Sequence, residues 1–224
     1  MRPGTLEVRD EVKEHTPEKI EGVAKTVREL LTKMKDTSEV IVDLAYAALM
    51  FDSKEIAEEV KKLEAEMDTL RYEIRIRAML AARTKNEAVQ LSGLLQIASA
   101  AASISHAAAD MVKLLDLDIE KRPFLSFVLR DAEEKIRLIN LSERSDMVNR
   151  TIDELGIECN TGMRIIAIKR GKRWIYDPED HVRLKAGDVL IVRGTEDGYE
   201  ILNKYATGER KWPEDSNEEY REEE

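Results

Sequence analysis

Apolar residues recur at three- and four-residue intervals early in the chain: Ile20, Val23, Val27, Leu30, Leu31, Met34, Ile41, Leu44, Ala45 and Ala48 fall on one stripe. This spacing predicts a long amphipathic helix running to about Phe51, with Thr16 as its cap and Pro17 in its first turn. Asp52-Ser53 breaks the pattern and supplies a new cap. The second stripe is Ile56, Val60, Leu63, Met67, Leu70, Ile74 and Arg77, with charges on the other faces. A third helix opens at Thr84, where Glu87 three residues on makes a capping box. It carries Leu91, Leu94, Leu95, Ala98, Ala101, Ala102, Ile104, Ala108, Met111 and Leu115. From Ala98 to Ala109 it is nearly all Ala and Ser, which lets backbones approach closely and predicts this helix at the bundle centre. Three long helices with short connections predict an antiparallel bundle over residues 17–120.

Beyond a linker at 121–135, where Pro123 opens a predicted helix from Phe124 to Glu134, the period changes. Ile136, Leu138, Asn140 and Leu141 begin a strand. Ser145 to Leu155 reads as a loop and short helix that Gly156 ends. Met163 to Ile168 is a strand, and Gly171-Lys172 turns tightly into Trp174-Ile175-Tyr176, which Asp177-Pro178 stops. Gly187-Asp188 turns the chain into Val189–Arg193, and Gly198–Tyr205 is a closing helix. The fold class is therefore α+β in two domains: a three-helix bundle, then a small α+β unit over 136–207. An N-terminal segment covers 1–16. An acidic tail covers 208–224 and is predicted to be disordered.

Charge narrows the function. The net charge of -10 disfavours a nucleic acid polymer as partner. The densest basic cluster, Lys169-Arg170-Gly171-Lys172-Arg173, reads as a solvated hairpin tip. Cys159 is the only cysteine, which fits a reducing compartment. No signal peptide is expected, and no apolar stretch approaching the ~20 residues of a membrane span. A cytoplasmic location follows. The 37% charged fraction leans towards a thermophile.

The second half resembles the TrkA C-terminal (RCK C-terminal) domain. The resembling residues run in order: Ser145, then Asn149-Arg150-Thr151-Ile152-Asp153-Glu154-Leu155 as the short helix, then Gly162 to Gly171 and Asp177-Pro178, then Leu184 to Thr195. The resemblance implies a regulatory module of cation transport, chiefly of potassium, which dimerises and binds a small ligand, in some members a cyclic dinucleotide and in others an ion. No Gly-x-Gly-x-x-Gly follows a strand, so no dinucleotide cofactor is expected. Candidate ligand-binding residues are Ser145, Asp146, Asn149 and Arg150 at the entry to the short helix, where backbone N–H groups could hold an anion. Arg164, His181 and Arg183 are further candidates. Set against this, Ser145 or Asp146 need only cap the helix.

The first half is similar to one repeat of the PhoU family, through Leu44 to Leu49 with Asp52, then Ala57-Glu58-Glu59-Val60, then Glu64 to Asp68. PhoU proteins collect metal ions on acidic pairs spaced i, i+4, which share one helix face. Here the pairs are Glu64 with Asp68, and His106 with Asp110. The histidine in place of an acid leans towards a transition metal. The plainer reading is salt bridges on a charged face. Asp43 sits in an apolar stretch and needs a partner, with Arg71, Arg75 or Arg77 as candidates.

The function expected is a regulatory, ligand-binding subunit of a membrane cation transporter or channel. It would be cytosolic, homodimeric and not an enzyme, with a metal ion or nucleotide-type molecule as ligand. The alternatives are a metal-binding regulator and a scaffolding dimer without a small-molecule ligand.

Overall fold

The computed structural model of the chain describes residues 17–117 and 135–213, with side chains of the first helix described from Thr26 onward. The predicted cap Thr16, the predicted helix Phe124–Glu134 and the tail beyond 213 lie outside the described residues. Three helices come first: α1 (Pro17–Met50), α2 (Lys54–Ala81) and α3 (Lys85–Val112), the last extended by a 3-10 turn at Lys113–Asp116. Ser53 caps α2 by accepting from the Ile56 amide, and Thr84 with Glu87 forms the full capping box on α3. The predicted stripes are the buried ones: Val27, Met34, Ile41, Leu44, Ala45 and Ala48 on α1, and Ile56, Val60, Leu63, Met67, Leu70 and Ile74 on α2.

Helix α3 differs from its expected central place. It buries one face, Ala98, Ala101, Ala102, Ser105, Ala108, Ala109 and Val112. Val89, Ile97 and Ile104 on its other side are exposed. A three-helix bundle gives each helix one core face, and only part of the small-residue run serves it; Gly93, Ala100 and Ala107 are exposed. By length and composition alone the span Lys85–Asp116 would pass for a membrane-crossing helix, a test that the Ala-rich helix of a bundle can also meet.

The second unit is a four-stranded antiparallel sheet with strand order β1-β4-β2-β3. The strands are β1 (Lys135–Asn140), β2 (Arg164–Arg170), β3 (Arg173–Tyr176) and β4 (Val189–Gly194). Gly171, at φ +60°, opens the two-residue β2–β3 turn, the place a II′ turn reserves for glycine. Two short helices, α4 (Ile152–Leu155) and α5 (Ile157–Thr161), precede β2, and α6 (Glu196–Thr207) closes the unit. Leu202, Tyr205 and Ala206 of α6 pack on one sheet face with Ile139, Ile168, Leu190 and Val192. Beyond α6 the chain keeps packing: Trp212 is buried against Tyr205, ring centroids 4.6 Å apart.

The sheet's other face meets the bundle. Ile136, Ile166, Ala167 and Ile191 belong to the same buried cluster as Ile41, Leu44, Ala48, Val60 and Val112. One hydrophobic core therefore crosses from helices to sheet.

Candidate functional site

The short helix starts later than the sequence suggested. Asn149 takes a left-handed φ of +67°, which ends any helix there, and Thr151 is the cap. Thr151 Oγ1 accepts from the Glu154 amide at 3.1 Å, while Glu154 accepts from the Thr151 amide at 2.8 Å. That backbone donor holds the Glu154 carboxyl below the usual carboxylate range. The entry amides that the sequence reading had offered to an anion are also taken: Asn149 donates to the Leu184 carbonyl, Arg150 to the Met147 carbonyl and Met147 to the Ser145 hydroxyl. Gly156 at φ +52° then ends α4, and α5, not expected from the sequence, begins at once.

The candidate ligand residues separate into three groups. Ser145 and Asp146 are structural here, and neither caps a helix. The buried Ser145 hydroxyl donates to the Tyr205 carbonyl at 2.8 Å, and Asp146 accepts from the Trp212 amide at 2.7 Å. Asn149, Arg150 and Arg183 form one corner: Arg183 donates to the Asn149 carbonyl and stands 3.6 Å from Glu154, and Arg150 donates to the Glu154 carbonyl at 2.8 Å. His181 stands apart on the surface, 3.2 Å from Glu179.

Arg164 lies elsewhere, in an open cleft of about 410 Å³ walled by α4, α5 and the start of β2. Ile152, Ile157, Met163 and Ile165 give it an apolar floor, and Asp153, Glu158, Asp177 and Asp180 surround the single guanidinium. Arg164 Nη2 donates to Asp177 Oδ1 at 3.0 Å, and this bond raises the Arg164 pKa. Asp177 sits at φ +40°, where β3 ends. The sequence singled out neither Asp177 nor Asp180 as a site residue; Asp177 was marked only by the Asp-Pro stop and its place in the TrkA-C resemblance, and Asp180 by nothing.

The same pair borders the seam with the bundle. A small cleft there is lined by Glu39, Val40, Asp43, Arg164, Ile166, Asp177 and Arg193. Arg193 of β4 holds both oxygens of Asp43, at 2.9 and 3.0 Å. The partner of Asp43 is thus Arg193, not Arg71, Arg75 or Arg77, because Asp43 faces the sheet rather than α2. Two more polar links cross the seam. Lys169 reaches Glu55 at 2.6 Å, and the Tyr176 hydroxyl donates to the buried Glu59. Burial first, and Glu59 second, push the Tyr176 pKa upward.

The turn before β4 is locked from within. Asp188 is wholly buried and accepts from Arg170 Nε and Nη2, both at 2.8 Å, and from the Lys185 amide at 2.9 Å. Arg170 also holds the Arg183 carbonyl at 2.9 Å.

On the bundle, His106 bridges two of the predicted metal residues, with Nδ1 2.8 Å from Glu64 and Nε2 3.4 Å from Asp68. Asp110 turns away to Lys113 at 2.5 Å. Arg71 Nη2 lies 2.8 Å from Asp68 Oδ1, yet that buried oxygen receives no well-directed hydrogen bond. Among the described residues no three His, Cys, Asp or Glu side chains converge to hold a metal ion.

Residues 31–115 match the family model of the PhoU domain, and residues 136–206 match that of the TrkA-C domain. The chain joins a PhoU domain to a TrkA-C domain. Among curated proteins it is similar to Potassium channel protein 1 of Methanocaldococcus jannaschii, 26% identical over 83 residues, 37% of this chain and 25% of that protein. The match therefore spans a quarter of that relative's length. Among solved structures it is similar to the RCK_C domain dimer of S. agalactiae BusR in complex with c-di-AMP, at 27% identity and TM-score 0.33, covering 34% of this chain and 95% of that one. It is also similar to the RCK C domain of the potassium transport protein KtrA with cyclic diadenosine monophosphate, at 31% identity and TM-score 0.31, covering 38% and 96%.

Proposed function

We propose that the chain is a cytosolic, homodimeric regulatory subunit of a potassium or other cation transport system, in which a small ligand at the TrkA-C domain resets the seam with the PhoU bundle. The observation that carries this reading is the Arg164–Asp177 pair, which lines the open cleft on one side and the Asp43–Arg193 seam on the other. A ligand that competes for either partner changes the polar lining of both.

Two surfaces suit opposite ligand charges. The cleft, with four carboxylates to one guanidinium, favours a cation. The Arg150–Arg183 corner favours an anion such as a cyclic dinucleotide. Calorimetry of the full chain against potassium, sodium, divalent cations and cyclic dinucleotides tests the proposal. Binding lost on Asp177→Asn but kept on Arg183→Ala assigns the cleft, and the reverse assigns the corner. No binding by any of them, together with no transporter co-purifying, sinks it.

A metal-responsive reading has one observation in its favour, the buried Asp68 Oδ1 beside Glu64 and His106. Stoichiometric metal in the purified protein, lost on Asp68→Ala, would support it.

A further inference from the structure

From Ala88 to Ala109, helix α3 contains no Asp, Glu, Lys or Arg, in a chain that is 37% charged. Its inward face explains half of this run. Beside that face runs a pattern of its own: Ile97, Ile104 and Met111 recur every seven residues, and Gly93, Ala100 and Ala107 recur every seven residues between them, with Met111 half-buried at the edge of the core shared with the sheet. Ile97 is 55% and Ile104 47% exposed. The stripe is a second apolar seam of heptad spacing, beside the one that packs on α1 and α2, with large and small residues in strict alternation.

We propose that this stripe is the contact between two copies of the chain, paired antiparallel along α3. In an antiparallel pair the two heptad positions face each other. Placing Ala100 opposite the partner's Ile104 also places Ala107 opposite the partner's Ile97 and Gly93 opposite the partner's Met111. Every large side chain then meets a small one, which is the condition for layers to interdigitate. A parallel pair would set large against large.

Gly93 gives an independent reason. Glycine inside a helix is unfavourable relative to alanine. A Cβ built at Gly93 meets nothing within 4 Å, so packing within the chain does not require the glycine. The approach of the partner's Met111 does.

Charge selects the occupant. The rest of the molecule is strongly acidic, so two copies repel except where neither carries charge, and this stripe is such a place. The run is about 33 Å long. An α3 pair alone covers on the order of half the ~800 Å² per partner of a standard interface. The ends add to it. Leu114 and Leu117 are exposed at one end of α3, and Val89, Met79 and Leu80 at the other, and antiparallel pairing brings these ends together.

The test uses the full chain with Cys159→Ser, because Cys159 is exposed. Ala100→Cys with Ile104→Cys should give a covalent dimer under mild oxidation. Ile97→Cys should not, because its own copy lies about 15 Å away along the antiparallel axis. Ile97→Lys with Ile104→Lys, both at exposed positions, should leave the circular dichroism unchanged and abolish that cross-link when added as Ile97→Lys to the cysteine pair. Absence of the first cross-link, or a cross-link through Ile97→Cys, overturns the antiparallel pair. So does flotation of the wild-type chain with lipid vesicles that the double lysine variant loses, because the stripe then faces a membrane. A monomer in which residues 118–134 cross-link to the stripe overturns it as well.

Discussion

Replacing Asp188 by alanine removes the acceptor of two charged hydrogen bonds from Arg170 and one from the Lys185 amide. Breaking a buried ion pair from one side costs about 3–5 kcal/mol, because the other charge is left uncompensated. The Arg170 side chain keeps the Arg183 carbonyl and is 27% exposed, so water recovers part of the loss and the lower end applies, about 3 kcal/mol. Tryptophan fluorescence isolates the effect, since both tryptophans, Trp174 and Trp212, lie in the sheet unit. With a urea slope of about 1.5 kcal/mol/M for a unit of this size, the unfolding midpoint falls by about 2 M. Arg170→Met alone and the double variant complete a cycle, whose coupling should exceed about 1.5 kcal/mol. A loss under about 1 kcal/mol for Asp188→Ala, or no coupling, refutes the assignment of Asp188 as the anchor of this turn.

Gly198→Ala should destabilise the sheet unit by about 2 kcal/mol, because the added Cβ would lie 2.3 Å from the Thr161 carbonyl oxygen, a backbone atom that cannot rotate away; thermal unfolding measures it. Thr151→Ala, which removes the cap of α4, should cost about 1 kcal/mol in the same assay. The raised Tyr176 pKa gives a pH signature: the unfolded tyrosine ionises from about pH 10 while the folded one holds its proton, so the contribution is present below pH 10 and is lost as pH rises above it. Urea midpoints followed into that range should therefore fall more steeply for the wild type than for Tyr176→Phe, and equal slopes count against a raised Tyr176 pKa in the folded chain.

The helices and strands were legible because their signals are local. Heptad-like spacing found α1, α2 and α3, and the Thr84–Glu87 box marked the start of α3 to the residue. The same Thr-x-x-Glu signature stands at Thr151–Glu154, yet the helix was begun at Asn149, where the backbone is left-handed. A motif continuous in sequence outweighed a cap inside it. What stayed illegible was long-range. Asp43 and Arg193 are 150 positions apart, and only the packing of β4 on α1 brings them together. Asp177 likewise becomes a cleft residue only once β3 lies beside β2. Ser145, offered as a ligand group, proved to tie the loop to α6.

Helix α1 reaches about 40 Å from Asp43 back to its first turn. Its near end is fixed to the sheet by a shared core and by Arg193, and its far part packs on α2 and α3, so helix and bundle form one lever on the sheet. A rotation of about 5° there moves the tip by about 3 Å, a step comparable to the helix shifts that switch other assemblies. The gearing lies in the length of the helix, so under the proposed function a small rotation of the bundle against the sheet is largest at the far end of the bundle.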